Sequence, residues 1–406
     1  MKKKKLGLFP KVVIAIAIGT LLGLLFEHFF NTCPEDSFGY GFPEFLVRLM
    51  KTFNVIFAQL LKFIVPLLVL GLVTPSIAKL GSGAGKMLLT VMIVAYCSTI
   101  LAGFFSYGCS SAFFPHFLTV GEITPDKLAQ TKSFTPYIEL KIPPVCDVLT
   151  ALVLSFMIGV GIIITKARGL QKAFDEFGEI VKLTIEKVII PCLPIYIFTM
   201  IAEMAAKGVI GAVMGAGVKV IGTGVVLSIL FLIVQFCVAG ILAGKNPFKC
   251  LWNMMPAYLT GFSICSSAPV IPVTKECSLK NGVSEDIADF TVPLCATVHM
   301  CGSTIKLATT TVAVAFLSGM DIPFALYANF VLLQGVAAVA APGVMGGVLM
   351  ASVGLLETVL GFSPEQTALM MAIYLALDGY GPACNVTGDG AIALVINRFF
   401  GKKSGK

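Results

Sequence analysis

Long runs of apolar, uncharged residues fill most of the chain and are separated by short charged stretches. The runs that lack Asp, Glu, Lys and Arg are residues 12–26, 63–78, 87–121, 148–165, 188–202, 220–244, 251–274, 290–305 and 322–356. A transmembrane helix needs about 20 mostly apolar residues, so several of these runs are long enough to cross a bilayer. The pattern predicts an all-α polytopic membrane protein.

The charges between the runs predict the orientation, because cytoplasmic loops are enriched in Lys and Arg. The cluster Lys2 to Lys5 and the basic C-terminal stretch 398–406 place both termini in the cytoplasm. The loop after the first run, residues 27–44, is acidic and reads as external. The N-terminal stretch resembles a signal peptide, but no small-residue cleavage site precedes Glu27 and many apolar runs follow, so we expect it to be the first helix.

Two of the runs do not fit a simple crossing. Residues 251–274 have basic residues on both flanks, Lys249 and Lys275, and their middle, SICSSAPVIP, contains two prolines that would break a helix. Residues 322–356 are too long for one helix and contain the turn signal Pro342-Gly343. Both runs are predicted to be re-entrant helical hairpins that enter from opposite faces, although two kinked packing helices would also fit. Interrupted helices related by an inverted repeat are typical of secondary transporters.

Polar residues in the last apolar segment indicate where a site lies. Ionisable residues inside membrane segments are rare and usually functional. Asp378, Asn385 and Asp389 are spaced by seven and four residues, which places them on one stripe of a helix. The two carboxylates would then be about 16 Å apart, so we expect separate tasks, one facing a substrate and one facing an ion. The alternative for Asp389 is a solvated position near Arg398 at the inner interface.

A second polar stripe is predicted in a helix over residues 290–317. It contains His299, Ser303, Lys306 and Thr310. A buried ammonium group needs a partner or a functional reason, and Asp378 or Asp389 is the expected partner of Lys306. His299 is either part of an ion site or a hydrogen-bonded core histidine.

Composition narrows the functional classes. The chain is 57% hydrophobic and 13% charged, with a mean hydropathy of +0.93, whereas soluble proteins are about 25% charged. The net charge of +7 comes from residues near predicted helix ends, so no nucleic-acid partner is expected. The twelve cysteines form no CxxC motif and are expected to act as small apolar residues, and three distant histidines indicate no zinc or haem site.

The positions of the polar residues in the two predicted helices favour neither an enzyme nor a channel. An intramembrane aspartyl protease needs two carboxylates close enough to share a proton, and carboxylates about three turns apart on one helix cannot meet. A channel needs a continuous polar pore, whereas the polar residues here cluster at one depth between the two predicted hairpins. We therefore expect a transporter, with those two classes as remote alternatives.

Four motifs carry a resemblance to a known family. SSAPVIPVT at 266–274, HMCGS at 299–303, VAAVAAPGVMGG at 336–347 and NVTGD at 385–389 occur in the family's order. Together with the span pattern they resemble the dicarboxylate/amino acid:cation symporter family, the glutamate transporter homologues, over essentially the whole chain. The family carries NMDGT where this chain has HMCGS, and the last motif agrees outright.

The resemblance implies one membrane unit of eight transmembrane helices plus two re-entrant hairpins, built from inverted repeats. It implies a homotrimer in a bacterial-type inner membrane that works as an elevator. Helices 1, 2, 4 and 5, about residues 8–78 and 145–210, would form the scaffold. Helices 3, 6, 7 and 8 with the hairpins, about residues 83–114 and 218–400, would form the transport domain.

The resemblance also implies the site residues. Asp378 is similar to the aspartate that binds a substrate amino group, Asn385 to an asparagine that contacts substrate and a sodium site, and Asp389 to a sodium-ligating carboxylate. The expected sodium site comprises Asn385, Asp389 and His299, with no organic cofactor. The expected substrate-binding residues are Ser266, Ser267, Ser303, Lys306, Val339, Ala341, Pro342, Gly343, Asp378, Gly381, Pro382 and Asn385.

Departures from the family bear on the substrate. Members that take acidic substrates carry an arginine at the position of Gly381, and some relatives carry it at the position of Cys265; this chain has neither. A substrate carboxylate would lack its bidentate partner, which favours a small neutral amino acid. Lys306 lies near the same pocket, so the alternative is an acidic amino acid or C4-dicarboxylate bound by its ammonium group.

Other departures affect the ion sites. His299 and Cys301 replace the family's asparagine and aspartate, and Val91, Val94 and Ala95 are expected where helix 3 usually offers hydroxyls. Sodium prefers hard oxygen ligands, so a deep sodium site built by these positions is expected to be lost, while a site around Asp389 and Asn385 remains. In the alternative, Lys306 replaces a sodium ion and transport is sodium-independent or proton-coupled.

Overall fold

The computed structural model describes residues 8–80, 86–121, 134–146, 148–208, 210–339, 346–376 and 379–401. Over these residues the chain forms helices and short connections, without a strand, which confirms the all-α prediction. The α-helices in chain order are α1 Leu8–Thr32, α2 Phe38–Leu80, α3 Lys86–Phe113, α4 Val148–Thr165, α5 Arg168–Thr184, α6 Ile190–Ala206, α7 Ile210–Ala243, α8 Pro247–Asn253, α9 Met255–Ile264, α10 Ile271–Lys280, α11 Glu285–Val298, α12 Cys301–Leu317, α13 Phe324–Val339, α14 Gly347–Thr358, α15 Pro364–Ala376 and α16 Tyr380–Phe400.

Among the described residues, four helical segments are long and apolar enough to cross a membrane. They are Val13–Thr32, Lys86–His116, Gly215–Ala243 and Glu285–Leu317. A bent pair, Arg168–Ile189 with Pro191–Ala206, would add a fifth, with a 44° angle at its break. The chain is therefore a multi-pass membrane protein, whereas the count of eight crossings with two hairpins stays a prediction.

The helices pack in two groups. In the first, α1 packs along α6, and α2 packs on α4, α5 and α6. The contact between α1 and α6 is a backbone contact, because a Cβ added at Gly19 or Gly23 would collide with carbonyl oxygens of α6. In the second group, α3 packs on α12, while α16 contacts α7, α9, α11 and α12. The groups meet where α14 packs on α2 and α15 packs on α1.

Both regions predicted as hairpins contain two short helices that contact each other. In the first, α9 ends at Ile264, and Cys265 adopts a left-handed conformation with φ of +56° that ends this helix. The chain continues through a 3₁₀ turn, Ala268–Val270, into α10, which contacts α9, and both helices pack on α16. In the second region, α13 and α14 contact each other, and residues 340–345 between them lie outside the described residues.

The predicted single helix over 290–317 is interrupted in the structure. Helix α11 ends at Val298, His299 is extended with φ of −98° and ψ of 103°, and α12 begins at Cys301. The prediction that His299 shares a helical stripe with Ser303 and Lys306 is therefore wrong. The physical reason is that groups on other helices hydrogen-bond to the backbone N–H groups that the break leaves unsatisfied, as described next.

Candidate substrate and ion site

The centre of the site is the contact between the start of α12 and the first half of α16. Gly302 allows this contact, because a Cβ at that position would overlap the Cys384 side chain and the carbonyl oxygen of Gly381. A residue with any side chain at 302 would push the two helices apart. The HMCGS and NVTGD motifs, far apart in sequence, thus lie side by side.

The amide of Asn385 serves as an N-cap for α12, although it comes from α16. Its Oδ1 accepts the N–H groups of Gly302 at 2.8 Å and Ser303 at 3.2 Å, two of the donors that a helix start leaves unpaired. Its Nδ2 donates to Ser303 Oγ at 3.0 Å and contacts Met300 Sδ at 3.4 Å. Asn385 therefore fixes both the helix start and the Ser303 hydroxyl.

One turn further along α16, Asp389 is fully buried and pairs with the histidine at the helix break. Its Oδ1 lies 2.9 Å from His299 Nδ1. An ionised carboxylate only accepts hydrogen bonds, so Nδ1 is the donor in that state. The second oxygen, Oδ2, is buried and has no hydrogen-bond partner among the described residues.

The far side of the imidazole is held by α3 and α7. His299 Nε2 lies 3.0 Å from Ser98 Oγ, which also accepts a hydrogen bond from Gln235 Nε2 at 2.6 Å. The neighbouring hydroxyl, Thr99 Oγ1, accepts the Met300 N–H at 3.2 Å. Three helices, α3, α7 and α16, thus contact the ring of the histidine at the break.

The hydroxyls of α3 lie further along the helix than the sequence indicated. The positions chosen from the resemblance were Val91, Val94 and Ala95, but the groups that face the break are Ser98 and Thr99. Val91 and Ala95 pack instead in an apolar cluster with α8 to α11. The hydroxyls that reach the break therefore follow these three positions along α3.

Lys306 lies on α12, one turn beyond Ser303, and is 1% exposed. Its Nζ stands 3.7 Å from the centre of the Tyr374 ring and 5.6 Å from that of Tyr380. A cation over an aromatic face is attracted by the ring quadrupole, and the attraction strengthens when water is excluded. The expected pairing of Lys306 with Asp389 was wrong, because Asp389 pairs with His299; the other candidate, Asp378, lies outside the described residues.

Gly381 borders the space between these groups. A Cβ at Gly381 would point at Ser303, 3.4 Å from its Oγ, and would lie 3.6 Å from Lys306 Cδ. Gly381, where relatives that take acidic substrates are expected to carry an arginine, therefore faces the aliphatic part of the Lys306 side chain. Pro382 follows it on α16 and is buried.

The first hairpin reaches the start of α16. The carbonyl oxygen of Phe262, near the end of α9, packs directly against Gly379. After Cys265, Ser266 is half-buried and Ser267 is buried. On the second hairpin, Val339 ends α13, while Ala341, Pro342 and Gly343 lie outside the described residues.

Sequence reasoning missed several side chains of the site. Gln235 is a lone amide within an uncharged run of α7, which is a signal that could have identified it. Ser98 and Tyr374 carry no such signal, because serines and tyrosines are common in apolar helices and only the register between helices brings these two to the site.

Taken together, the helices and the interior polar site define a multi-pass membrane protein whose site lies where broken and intact helices meet. The chain belongs to the sodium:dicarboxylate symporter family, which matches residues 8–399. The named family and relatives are transporters of small molecules rather than enzymes.

Named relatives are similar to this chain over most of their length. The serine/threonine transporter SstT of Streptococcus suis (strain 05ZYH33) is 26% identical over 359 residues, covering 86% of this chain and 94% of that protein. SstT of Acinetobacter baumannii (strain AYE) is 26% identical, covering 85% and 84%. The proton/sodium-glutamate symport protein of Bacillus subtilis (strain 168) is 24% identical, covering 99% and 94%.

The family implies sodium as a coupling ion, and the two faces of Asp389 suit that ion differently. Oδ2 is a buried carboxylate oxygen without a hydrogen-bond partner in the described parts of the chain, which fits a cation. On the Oδ1 side the neighbouring group is an imidazole nitrogen, His299 Nδ1, at 2.9 Å. Sodium prefers oxygen donors, so that side fits it poorly.

Proposed function

We propose that the protein takes up a small neutral amino acid together with a cation. The observation that carries this proposal is the cluster of Asn385, Ser303 and Gly381 where α12 and α16 meet. The buried Oδ2 of Asp389 lies one helical turn away along α16. Hydroxyl and backbone groups at such an interrupted helix suit the polar backbone of an amino acid, which matches the way secondary transporters bind substrates.

The neutral preference is supported by what surrounds Gly381. No guanidinium group projects from that position, and the nearby Lys306 ammonium lies over the ring of Tyr374. Arg binds carboxylates through a planar two-point contact that a lysine over a ring does not reproduce. The two serine/threonine transporters among the relatives agree with this preference.

The second candidate is an acidic amino acid or a C4-dicarboxylate. Lys306 favours it, because the stem of this buried residue borders the space that Gly381 leaves open. The glutamate symport protein among the relatives agrees with it. In this alternative the ammonium group binds the substrate carboxylate, and transport is sodium-independent or coupled to protons.

The role proposed for each residue follows the resemblance. Asp378 binds the amino group, Ser266, Ser267, Ser303, Asn385 and the tip of the second hairpin surround the substrate, and Asp389 faces the ion through Oδ2. The Asn385 amide contributes by fixing Ser303 and α12, since its polar atoms are already hydrogen-bonded or in contact with these groups.

The two helix groups support an elevator. We propose α1, α2, α4, α5 and α6 as the scaffold and α3 with α7 to α16 as the moving transport domain, in a homotrimer with cytoplasmic termini in a bacterial inner membrane. The support is that contacts are dense within each group and limited between them to places such as α14 on α2.

A thermal-shift screen of the purified protein tests the substrate. Amino acids and dicarboxylates are added one at a time in sodium, in potassium and at low pH, since a ligand that binds the native state raises the unfolding temperature. We expect L-serine or another small neutral amino acid to stabilise the protein and Asp378→Ala to abolish the shift. Stabilisation by succinate or malate that survives Asp378→Ala would overturn the neutral amino acid and favour the dicarboxylate.

A further inference from the structure

The imidazole of His299 occupies the Oδ1 side of Asp389. Its Nδ1 contacts the carboxylate at 2.9 Å, and its Nε2 contacts Ser98 Oγ at 3.0 Å. Behind the ring, Gly388 leaves no spare space, because a Cβ there would lie 2.8 Å from both His299 Cε1 and Gln235 Oε1. Two neighbouring helices and α16 therefore clamp the ring from three directions.

A buried carboxylate is stable only when a positive or hydrogen-bonding partner meets it. On the Oδ1 side that partner is the histidine side chain, and the ring is itself fixed by a second layer, in which Gln235 donates to Ser98 at 2.6 Å. Such a second layer keeps a group in one orientation, as it does around metal ligands. The arrangement resembles a cation site in which the His299 imidazole occupies the position of the ion next to Asp389 Oδ1.

We infer that the His299 side chain takes the place of a coupling cation beside Asp389 and that the ring-side position binds no ion. This deepens the proposed function, because it rests on cation-coupled transport and specifies which face of Asp389 serves the ion. The other oxygen, Oδ2, is buried and has no hydrogen-bond partner among the described residues, so it is the oxygen that remains for a cation. Removal of the ring leaves oxygens from Asp389, Ser98 and Gln235 around the vacated volume, the donor type that sodium prefers.

The test is a sodium titration of the unfolding temperature of the purified full-length chain. It is done without any organic substrate, and choline chloride keeps the ionic strength constant. Linkage makes the free energy of unfolding rise with the logarithm of the sodium concentration, with a slope proportional to the number of ions bound by the native state. We compare the wild type with His299→Asn, which removes the ring and adds an amide oxygen.

The expected result is that His299→Asn binds one sodium ion more than the wild type. If the wild type binds one ion, the slope roughly doubles; if the wild type does not respond, a one-ion response emerges. His299→Gln is the second variant in case the shorter amide does not fold. His116→Asn, which changes an exposed histidine, is the matched control and should keep the wild-type slope.

An unchanged slope in both His299 variants would overturn the inference, because the ring would then not occupy an ion position. A smaller slope would overturn it too, since His299 would then support an ion rather than replace it. Because no amino acid is present, the outcome is independent of the substrate screen. Failure of every amino acid to bind would count against the proposed function and leave the sodium slopes interpretable.

Discussion

Asp389 and Lys306 are two buried charged residues at the same helix contact, yet they are held in different ways. Asp389 is fixed by a directional hydrogen bond to His299, and that ring is fixed by Ser98 and Gln235. Lys306 lies over the faces of Tyr374 and Tyr380, and such contacts require the cation to lie over the ring but set no donor–acceptor line. The difference indicates that the carboxylate is held in one geometry, whereas the ring contacts of the ammonium group allow a wider range of positions.

This comparison predicts different consequences for mutation on the two sides. On the Asp389 side, a substitution interrupts the hydrogen-bond network that includes His299 and Ser98. In such a network one unsatisfied buried polar group lowers the free energy of unfolding strongly. On the Lys306 side, loss of the Tyr374 ring leaves the Tyr380 ring, whose centre is 5.6 Å from the ammonium nitrogen, so a smaller cost is expected. The predictions below start with the change expected to have the largest effect.

The largest effect is expected from Asp389→Asn. The substitution keeps the shape but removes the charge that His299 and a cation at Oδ2 would meet. Loss of a charged hydrogen bond and of the ion is expected to lower initial uptake into proteoliposomes by about 100-fold, equivalent to about 3 kcal/mol. Asp289→Asn, which changes an exposed carboxylate paired with Lys275 on the surface, is the control and should remain near wild type. Normal uptake with unchanged cation dependence in Asp389→Asn would contradict the claim that the Asp389 side is the more sensitive of the two.

Gly302→Ala tests the backbone contact that brings both charged groups together. The new methyl group would overlap Cys384 and the Gly381 carbonyl, so we expect α12 and α16 to separate at a cost of about 2–3 kcal/mol in thermal stability. Gly222→Ala on α7 is the matched control, because nothing lies within 4 Å of its added Cβ. Equal unfolding temperatures for the two variants would show that the close contact is not needed.

Asn385→Ala removes the cap of α12 and releases the Ser303 hydroxyl. Two buried backbone N–H groups lose their partner, so a loss of about 2 kcal/mol is expected in chemical or thermal unfolding. Thr387→Val, on the same helix, is the control, because that hydroxyl donates to the carbonyl oxygen of Ala383, near the start of α16 itself. The cap would be unimportant if Asn385→Ala were as stable as Thr387→Val.

The smallest effect is expected at Tyr374. Tyr374→Leu removes the ring beneath Lys306 and should cost about 1 kcal/mol of stability, whereas Tyr374→Phe keeps the ring and most of that attraction. The unfolding temperatures of the two variants measure the difference. If phenylalanine and leucine cost the same, Lys306 is held by something other than the ring, and the contrast with Asp389 disappears.

The sequence predicted a membrane transporter, its helical fold and the meeting of two motifs. It did not predict the hydrogen bonds that join the helices. HMCGS and NVTGD were expected at one site, and Asn385 does bond to Gly302 and Ser303. The break at His299 was missed, because helical periodicity assumes a continuous helix and the N–H groups it frees are satisfied by residues distant in sequence. Ser98 and Thr99 were missed for the same reason, since one sequence does not give the register between two apolar helices.

The central claim is tested most directly by uptake of radiolabelled L-serine into proteoliposomes that contain only this protein. The account predicts saturable accumulation above the equilibrium level when sodium is high outside and low inside, and collapse of that accumulation when an ionophore removes the gradient. Flux that only equilibrates, grows without saturation and ignores the sodium gradient would contradict cation-coupled uptake of a small neutral amino acid.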